Sequence, residues 1–403
     1  MKDIIVNCAK DKKTIVVVED GNLIEKYEEY NELQRLEGNI YLGKITDILP
    51  GMQAAFVDIG DEKNAFLHIK DVIPKKSNET GNKNEDLNKY NIKDYVKVGM
   101  PVIVEVKKDK TDKKGAKVST NLNIAGKYVV IIPNSEFVTI SQKIEDSNEI
   151  IRLSNIVKNL KIKNYGIIIR TSAINVSEQD IIQDVQDVIK TYEDIKNKAD
   201  KLISNYKNYN EDFKSILLHE KGNLITRIIL DIGYQGLDNI IVNNKEIYND
   251  ISKYIQKMNI KTNLKLLEKD DILDMYDLKR QIEKISNRKI WLKCGGFITI
   301  DKTEALTAID VNTGKFTGKE NIEQTVLKVN SEATIEIAKQ IRARDIGGII
   351  IIDYIDMDFK EDEEIIQKLL MDNLKKDRAK TQVIGFTKLH LLEMTRKHIC
   401  SGK

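Results

Sequence analysis

EALTAIDVNTGKFTGKENIEQTVLKVNSEATIEIAKQIRARDIGGIIIIDYIDM, residues 304–357, reads as a strand, a long helix and a second strand. The first run ends on Asp310. The helix is predicted from about residue 319 to 343, because Ile322, Val326, Val329, Ala333, Ile337 and Ile341 recur every three or four residues as one core-facing stripe. Thr317-x-x-Glu320 has the form of a capping box for its start. Gly347-Gly348 marks its end, and the four isoleucines at 349–352 read as a buried strand that stops at Asp353. Such a crossover makes the two strands parallel and is nearly always right-handed. GGFITID, just before, reads as a further strand, and a second helix follows at about 361–376.

Asp310 and Asp353 therefore each stand at the C-terminal end of a strand. Neighbouring strands lie about 4.8 Å apart, so the two carboxylates converge on one edge of the sheet, where ligands bind in such folds. Like charges that close repel unless a cation sits between them. Oxygen ligands favour Mg²⁺ or Mn²⁺ over zinc. Asn312 lies two residues beyond Asp310 and is placed to face the same edge. The competing reading makes these residues strand-end caps or turn residues. The four histidines show no ligand spacing, and no nucleophile–base arrangement is visible.

Composition narrows the classes around this unit. The 403 residues are enough for two to four domains by the prior of about 100–200 residues each. With 65 Lys and Arg against 63 Asp and Glu, net charge +2, any anion-binding surface must come from local clustering. No apolar run approaches the roughly 18 residues that span a bilayer, and the start, MKDIIVNCAK, has no signal-peptide form. Three scattered cysteines, Cys8, Cys294 and Cys400, fit a reducing cytoplasm rather than a disulfide framework.

Residues 3–6, 14–18 and the LIEKYEEY run after Asp20-Gly21 read as a small antiparallel meander, too short to stand alone. It is expected to pair with a later segment, and residues 216–280 (ITRIILDIGY and NIIVN as strands, then a helix) are assigned as its partners. Residues 38–118 are five short strands broken by Pro50-Gly51 and Gly60-Asp61, with a polar insertion at 75–94, which suggests a small closed barrel. Residues 121–215 open with strands and turn into a helix that Ser177-x-x-Asp180 can cap.

Two further features of these middle segments bear on function. In QAAFVDIG and NAFLHIKDV, Ala55, Val57, Ile59, Ala65, Leu67 and Ile69 alternate with Ala54, Phe56, Asp58, Phe66, His68 and Lys70. The set with the charges must face out, which puts Phe56 and Phe66 on the solvent face. Single-stranded nucleic acid stacks on such aromatics; the alternatives are a covering loop or isolated exposed rings. KKDKTDKKGAK at 107–117 is a solvated loop by default and a phosphate track if it lies beside an aromatic face. Arg170-Thr171, after a strand and before a helix start, suits a terminal phosphate, although an arginine in a surface turn is common.

Several of these stretches resemble the ribonuclease E/G family. DVNTGK at 310–315, residues 330–357 and EMTRK at 393–397 are similar to its signature. GNIYLGKITDILPGMQAAFVDIG is similar to its S1-type OB-fold domain, and RTSA at 170–173 to its RTAA motif. The resemblance implies a multidomain α/β chain. An RNase H-like domain (1–36 with 216–280) carries an inserted S1-type OB-fold β-barrel (37–120) and a 5′-sensor domain (121–215). A DNase I-like α/β catalytic domain (281–403) follows. Asp310 and Asp353 match the aspartates that hold one catalytic Mg²⁺, for which Mn²⁺ can substitute, and Asn312 matches the asparagine that orients the attacking group. Phe56, Phe66 and Lys114 match positions that hold single-stranded RNA. Arg170 and Thr171, with the backbone of Gly126 and the side chain of Val130, match the pocket that reads a 5′-monophosphate. Two further family arginines fall on Lys380, which keeps a charge without the planar fork, and on Gln142, which does not.

Zinc-linked members carry Cys-x-x-Cys near the C-terminus. Here Cys400 stands alone with Lys397 in the other cysteine's place, and His398 is the one further donor beside it. One thiolate per chain cannot build a four-ligand site between two subunits. Neither a structural zinc nor a zinc-linked tetramer is therefore expected; a homodimer remains open. With the chain ending at Lys403, a scaffolding tail for a degradosome is not expected either, and the resemblance is to the short form of the family. The expectation is a cytoplasmic, Mg²⁺-dependent endoribonuclease. It cuts single-stranded A/U-rich RNA in messenger decay or in ribosomal and transfer RNA maturation, with stimulation by a 5′-monophosphate. A metal-activated water attacks in line and leaves 5′-phosphate and 3′-hydroxyl ends. The rivals are a non-catalytic S1-domain RNA-binding protein and a metal-dependent DNase.

Overall fold

The computed structural model describes all residues except 31–35, 74–89, 112–113, 161, 210–212, 234–235, 315–321 and 401–403. The chain divides into two compact units, one of residues 1–33 with 224–403 and one of residues 34–223. The Thr317–Glu320 capping box and most of the 75–94 insertion lie outside the described residues.

The first unit opens with β1 (Lys2–Cys8), β2 (Lys12–Glu19) and β3 (Asn22–Tyr30), an antiparallel meander.

The second unit begins with the barrel strands β4 (Ile40–Leu49), β5 (Ala54–Asp58), β6 (Ala65–His68), β7 (Pro101–Lys108) and β8 (Lys117–Ser119). Extra pairing of β4 with β7 closes the five strands into a ring around Ile45, Val57, Leu67, Val104, Val106 and Val118. Part of the polar insertion is a one-turn helix, α1 (Ile92–Tyr95), because Ile92 is drawn fully into the barrel core. Next come β9 (Ile124–Ala125), β10 (Val129–Pro133), β11 (Phe137–Ile140) and β12 (Tyr165–Ile169), a sheet in the order β11-β12-β10-β9. Helices α2 (Ser147–Asn159) and α3 (Glu178–Tyr209) share its core. Ser177 Oγ accepts the Asp180 N–H at 3.2 Å at the start of α3. A last strand, β13 (Ile216–His219), pairs with β4. Residues 216–219 thus belong with the barrel and not with the N-terminal meander, and the unit runs to Asn223.

The chain then returns to the first unit with α4 (Leu224–Gly233), β14 (Asn239–Val242), α5 (Lys245–Met258) and β15 (Asn263–Leu266). Residues 225–233 of the ITRIILDIGY stretch are helix, not strand: Ile225, Ile228, Ile229 and Ile232 are buried at helical spacing, while Arg227 and Asp231 lie on the less buried side. β14 runs parallel to β1, giving the sheet order β15-β14-β1-β2-β3. After α6 (Leu278–Ser286) come β16 (Lys289–Trp291), β17 (Phe297–Lys302), β18 (Leu306–Asn312), α7 (Ile322–Ala343), β19 (Gly348–Asp353), α8 (Lys360–Leu374), β20 (Thr381–Phe386) and β21 (Leu391–Arg396). Their sheet has the order β16-β17-β18-β19-β21-β20, and only β18 and β19 are parallel.

Helices α7 and α8 bury one face of this sheet. Val329, Ala333, Ile337 and Ile341 of α7 meet Ile309, Ile350 and Ile352. Each such buried valine or isoleucine contributes about 1.5–3 kcal/mol. The other face is open. Ile349 is 50% exposed, so β19 is buried on one side only, which an unbroken run of isoleucine conceals. No helix among the described residues is long and apolar enough to cross a membrane.

Candidate active site and RNA-binding surfaces

The parallel register of β18 and β19 sets Asp310 directly beside Asp353. The same alternation that buries Ile309, Val311 and Ile352 turns Asp310, Asn312 and Asp353 to the open face of the sheet. Asn312 Nδ2 donates to Asp310 Oδ2 at 2.7 Å, and Thr299, the cross-strand partner of Asp310 on β17, reaches the same oxygen at 3.5 Å. Partial burial, then the charges of Asp310 and Asp356, push the Asp353 carboxyl above its ordinary range. Two carboxylates, one already electrostatically burdened, form a site that a hard cation relieves. Among the described residues no group of three or more His, Cys, Asp or Glu is arranged to hold a metal.

Behind the pair, buried polar groups fix the backbone. Asn330 on α7 donates to the Ile355 carbonyl at 2.8 Å and accepts its N–H at 3.2 Å, clamping the turn after Asp353. Thr334 donates to the Tyr354 hydroxyl at 3.0 Å. In the EMTRK stretch, Arg396 is buried and paired with Asp377 at 2.6 Å and Asp345 at 2.7 Å. This signature arginine is thus structural. His398 Nδ1 lies 2.9 Å from the Asp345 carbonyl, and Asp345 also accepts the N–H of Cys400 at 2.7 Å. A second buried network joins Glu25 of β3 to Arg342 at 2.8 Å and Arg378 at 2.7 Å. No local motif signals it, because the partners are hundreds of residues apart.

On the barrel, Phe56 and Phe66 are directly opposed on β5 and β6, half-exposed, with ring centroids 6.2 Å apart and edge to face. His68 extends the row at 6.4 Å from Phe66. Ala54, of the same parity, is fully buried; only the larger side chains of that set reach the surface. Half of the lysine run is committed to ion pairs: Lys107 pairs with Glu105, Lys110 with Asp61 and Lys117 with Asp71. Lys114 is exposed, with its backbone N–H turned to Thr111.

Gly126, Val130, Arg170 and Thr171 come together where β10 meets β12. Arg170 donates from its guanidinium to the Gly126 carbonyl at 2.7 Å and from its N–H to Tyr128. A side chain at Gly126 would strike Asp184 and Val188 within 2.7 Å, so only glycine fits. Asp184 of α3, with no signal in the sequence, accepts the N–H groups of Lys127, Tyr128 and Val129. Burial pushes its carboxyl up, although these three bonds pull against the shift. The Gly126 N–H is itself bonded to the Val129 carbonyl. The backbone N–H groups of residues 126–129 are therefore all bonded within the protein. Lys380 is exposed in the first unit, just before β20, and Gln142 is exposed after β11.

A closed barrel with a paired aromatic face and a mixed α/β sheet bearing two registered carboxylates suit a nuclease that handles single-stranded nucleic acid. Comparison with known proteins agrees: the S1 RNA binding domain matches residues 36–121 and the Ribonuclease E/G family matches residues 123–399. Ribonuclease G of Salmonella typhimurium is 35% identical over 98% of this chain and 79% of its own length. Ribonuclease G of Haemophilus influenzae is 34% identical over the same shares. Ribonuclease E of Buchnera aphidicola subsp. Schizaphis graminum is 33% identical over the whole of this chain and 41% of its own. The chain belongs to the ribonuclease E/G family and is an endoribonuclease.

Proposed function

We propose that Asp310 and Asp353 hold a single Mg²⁺ and that Asn312 orients the group that attacks the RNA phosphate. The observation that carries this is the direct register of the two aspartates on the open sheet face. A divalent ion there supplies charge neutralisation at the phosphoryl oxygens and a bound water of lowered pKa. Asp310 and Asp353 offer oxygen ligands only, which favours Mg²⁺, with Mn²⁺ as a substitute. The Asn312 amide holds one oxygen of Asp310, leaving the other for a ligand. The open face admits an extended strand, and the products are 5′-phosphate and 3′-hydroxyl ends.

In the same reading the substrate is single-stranded, A/U-rich RNA of messenger decay or ribosomal and transfer RNA maturation in the cytoplasm. Phe56 and Phe66 stack its bases, Lys114 meets its backbone, and Arg170 with Thr171 and Val130 reads a 5′-monophosphate. The two sheets of the first unit correspond to the RNase H-like and DNase I-like domains, and the second unit to the S1-type barrel and 5′-sensor domain. Incubating the chain with 5′-labelled A/U-rich RNA in Mg²⁺ and in EDTA tests this reading. Cleavage in Mg²⁺ that EDTA abolishes supports it. Binding without cleavage, or equal cleavage of matched single-stranded DNA, contradicts it.

A further inference from the structure

We infer that Trp291 and Phe297 form a base-stacking subsite for the nucleotide next to the scissile phosphate, with Lys289 attracting its backbone. This rests on the proposed role of Asp310 and Asp353. The register of β16, β17, β18 and β19 lays two adjacent cross-strand rows on the open face. One row is Lys289, Thr299, Asp310 and Asp353. The other is Trp291, Phe297 and Asn312. Directly paired residues share a face, so the aromatic row and the carboxylate row look the same way. Two strand spacings, roughly 10 Å, separate the backbones of Trp291 and Asn312, a distance one nucleotide bridges.

The side chains are built for this use. Trp291 is 59% exposed, and its ring meets Phe297 edge to face at 5.3 Å. The Lys289 ammonium lies 3.5 Å above Phe297 and 4.3 Å from the Trp291 centroid. It is held there by the ring quadrupoles. The surrounding loop keeps Phe297 beside Asn312: a Cβ on Gly296 would meet the Asn312 carbonyl at 2.8 Å, and one on Gly314 the Gly295 carbonyl at 2.6 Å and Phe297 at 3.3 Å. An exposed indole contributes little to a core. A lysine alone would guard an edge strand, so edge protection does not call for two aromatic rings. Aromatic faces with a cation beside a phosphate-handling pair match a nucleobase and its phosphate. Phe56 and Phe66 lie on the barrel of the other unit.

Trp291 is the only tryptophan of the chain, so its emission reports on this site alone. The full chain is titrated in EDTA with a single-stranded A/U-rich oligoribonucleotide, and binding is followed in parallel by anisotropy of labelled RNA. Trp291 emission should fall in step with the anisotropy curve. Trp291→Ala should raise KM in Mg²⁺ about tenfold, the scale of one lost stack, while Trp291→Phe stays near wild type. RNA bound by anisotropy with unchanged emission overturns the subsite and leaves the nuclease reading intact, as does Trp291→Ala with wild-type KM. Failure to bind RNA at all overturns both. If Trp291→Ala melts well below wild type, the wild-type emission titration decides.

Discussion

Replacing Asn330 with leucine tests whether the second layer of the site sets its activity. Asn330 is fully buried and holds both backbone groups of Ile355, two residues beyond Asp353. Asn330→Leu keeps the volume and removes both bonds. Each is worth about 0.5–1.5 kcal/mol net, so the pair predicts a stability loss of roughly 1–3 kcal/mol. The larger effect falls on geometry, because the turn that ends β19 loses its clamp. A 1 Å displacement of a reacting group costs about a hundredfold in rate. The expected kcat on single-stranded RNA is therefore about ten- to a hundredfold lower, with the RNA dissociation constant in EDTA unchanged. Asn330→Asp keeps the acceptor but turns a buried carboxylate towards the Ile355 carbonyl, so it should fall at least as far as leucine. Cleavage kinetics, RNA anisotropy and thermal melting on the same preparations separate these effects. Wild-type kcat in Asn330→Leu together with a lowered melting temperature would show that Asn330 serves stability alone and refute the reasoning.

Three other outcomes follow from the same structure. The double change Phe56→Ala and Phe66→Ala should weaken RNA binding about tenfold or more without unfolding the barrel, since both rings are half-exposed; an unchanged dissociation constant excludes stacking there. Arg170→Ala should slow cleavage of 5′-monophosphorylated RNA and spare 5′-hydroxyl RNA, whereas equal slowing of both would mean that its bond to Gly126 only supports the fold. Arg378→Leu leaves buried Glu25 with Arg342 as its one cation and Tyr27 as a donor, so the loss in urea unfolding near neutral pH should be about 1.5–3 kcal/mol, the scale of a hydrogen bond to a charged group. Burial alone would raise the Glu25 carboxyl, but Arg378 and Arg342 outweigh it and pull the value from 4.5 to about 2. A depressed carboxyl contributes its full stability above the unfolded value and loses it as pH falls through the folded one. The gap between wild type and Arg378→Leu should therefore narrow from pH 4.5 down to about 2; a constant gap across that range contradicts the assignment.

The catalytic unit was legible because its signals are local. The α7 stripe, the glycine pair and the two strand-end aspartates occur within one crossover, and the crossover rule makes the strands parallel. Adjacency of β18 and β19 follows from their order, although nothing in the order tells that one sheet face is bare. Helix α4 carried its signal too, since Ile225, Ile228, Ile229 and Ile232 keep helical spacing with Arg227 and Asp231 on the other side, but its β-branched richness favoured a strand reading. Helix α2 did carry a signal: Asp146 caps it, and Leu153, Ile156 and Val157 keep helical spacing. Its short length and polar neighbours masked that pattern. Long-range pairings left no trace, as with β13 on β4, Asp184 on the 127–129 backbone and Glu25 with its two arginines. Trp291 and Phe297 are separated by a glycine loop, and only the hairpin register makes them one surface.

Cleavage by Asp310→Asn and by Asp353→Asn at limiting Mg²⁺ measures the central claim most directly. Each change keeps size and removes one negative charge from a site where protein supplies few ligands. Each variant should cut a 5′-labelled single-stranded RNA at least about a hundredfold more slowly, roughly 2.7 kcal/mol of barrier. RNA binding should persist, and excess Mn²⁺ should restore part of the activity. Near wild-type cleavage by either variant under limiting Mg²⁺ would contradict the account, because a metal ligand in so sparse a shell could not be spared.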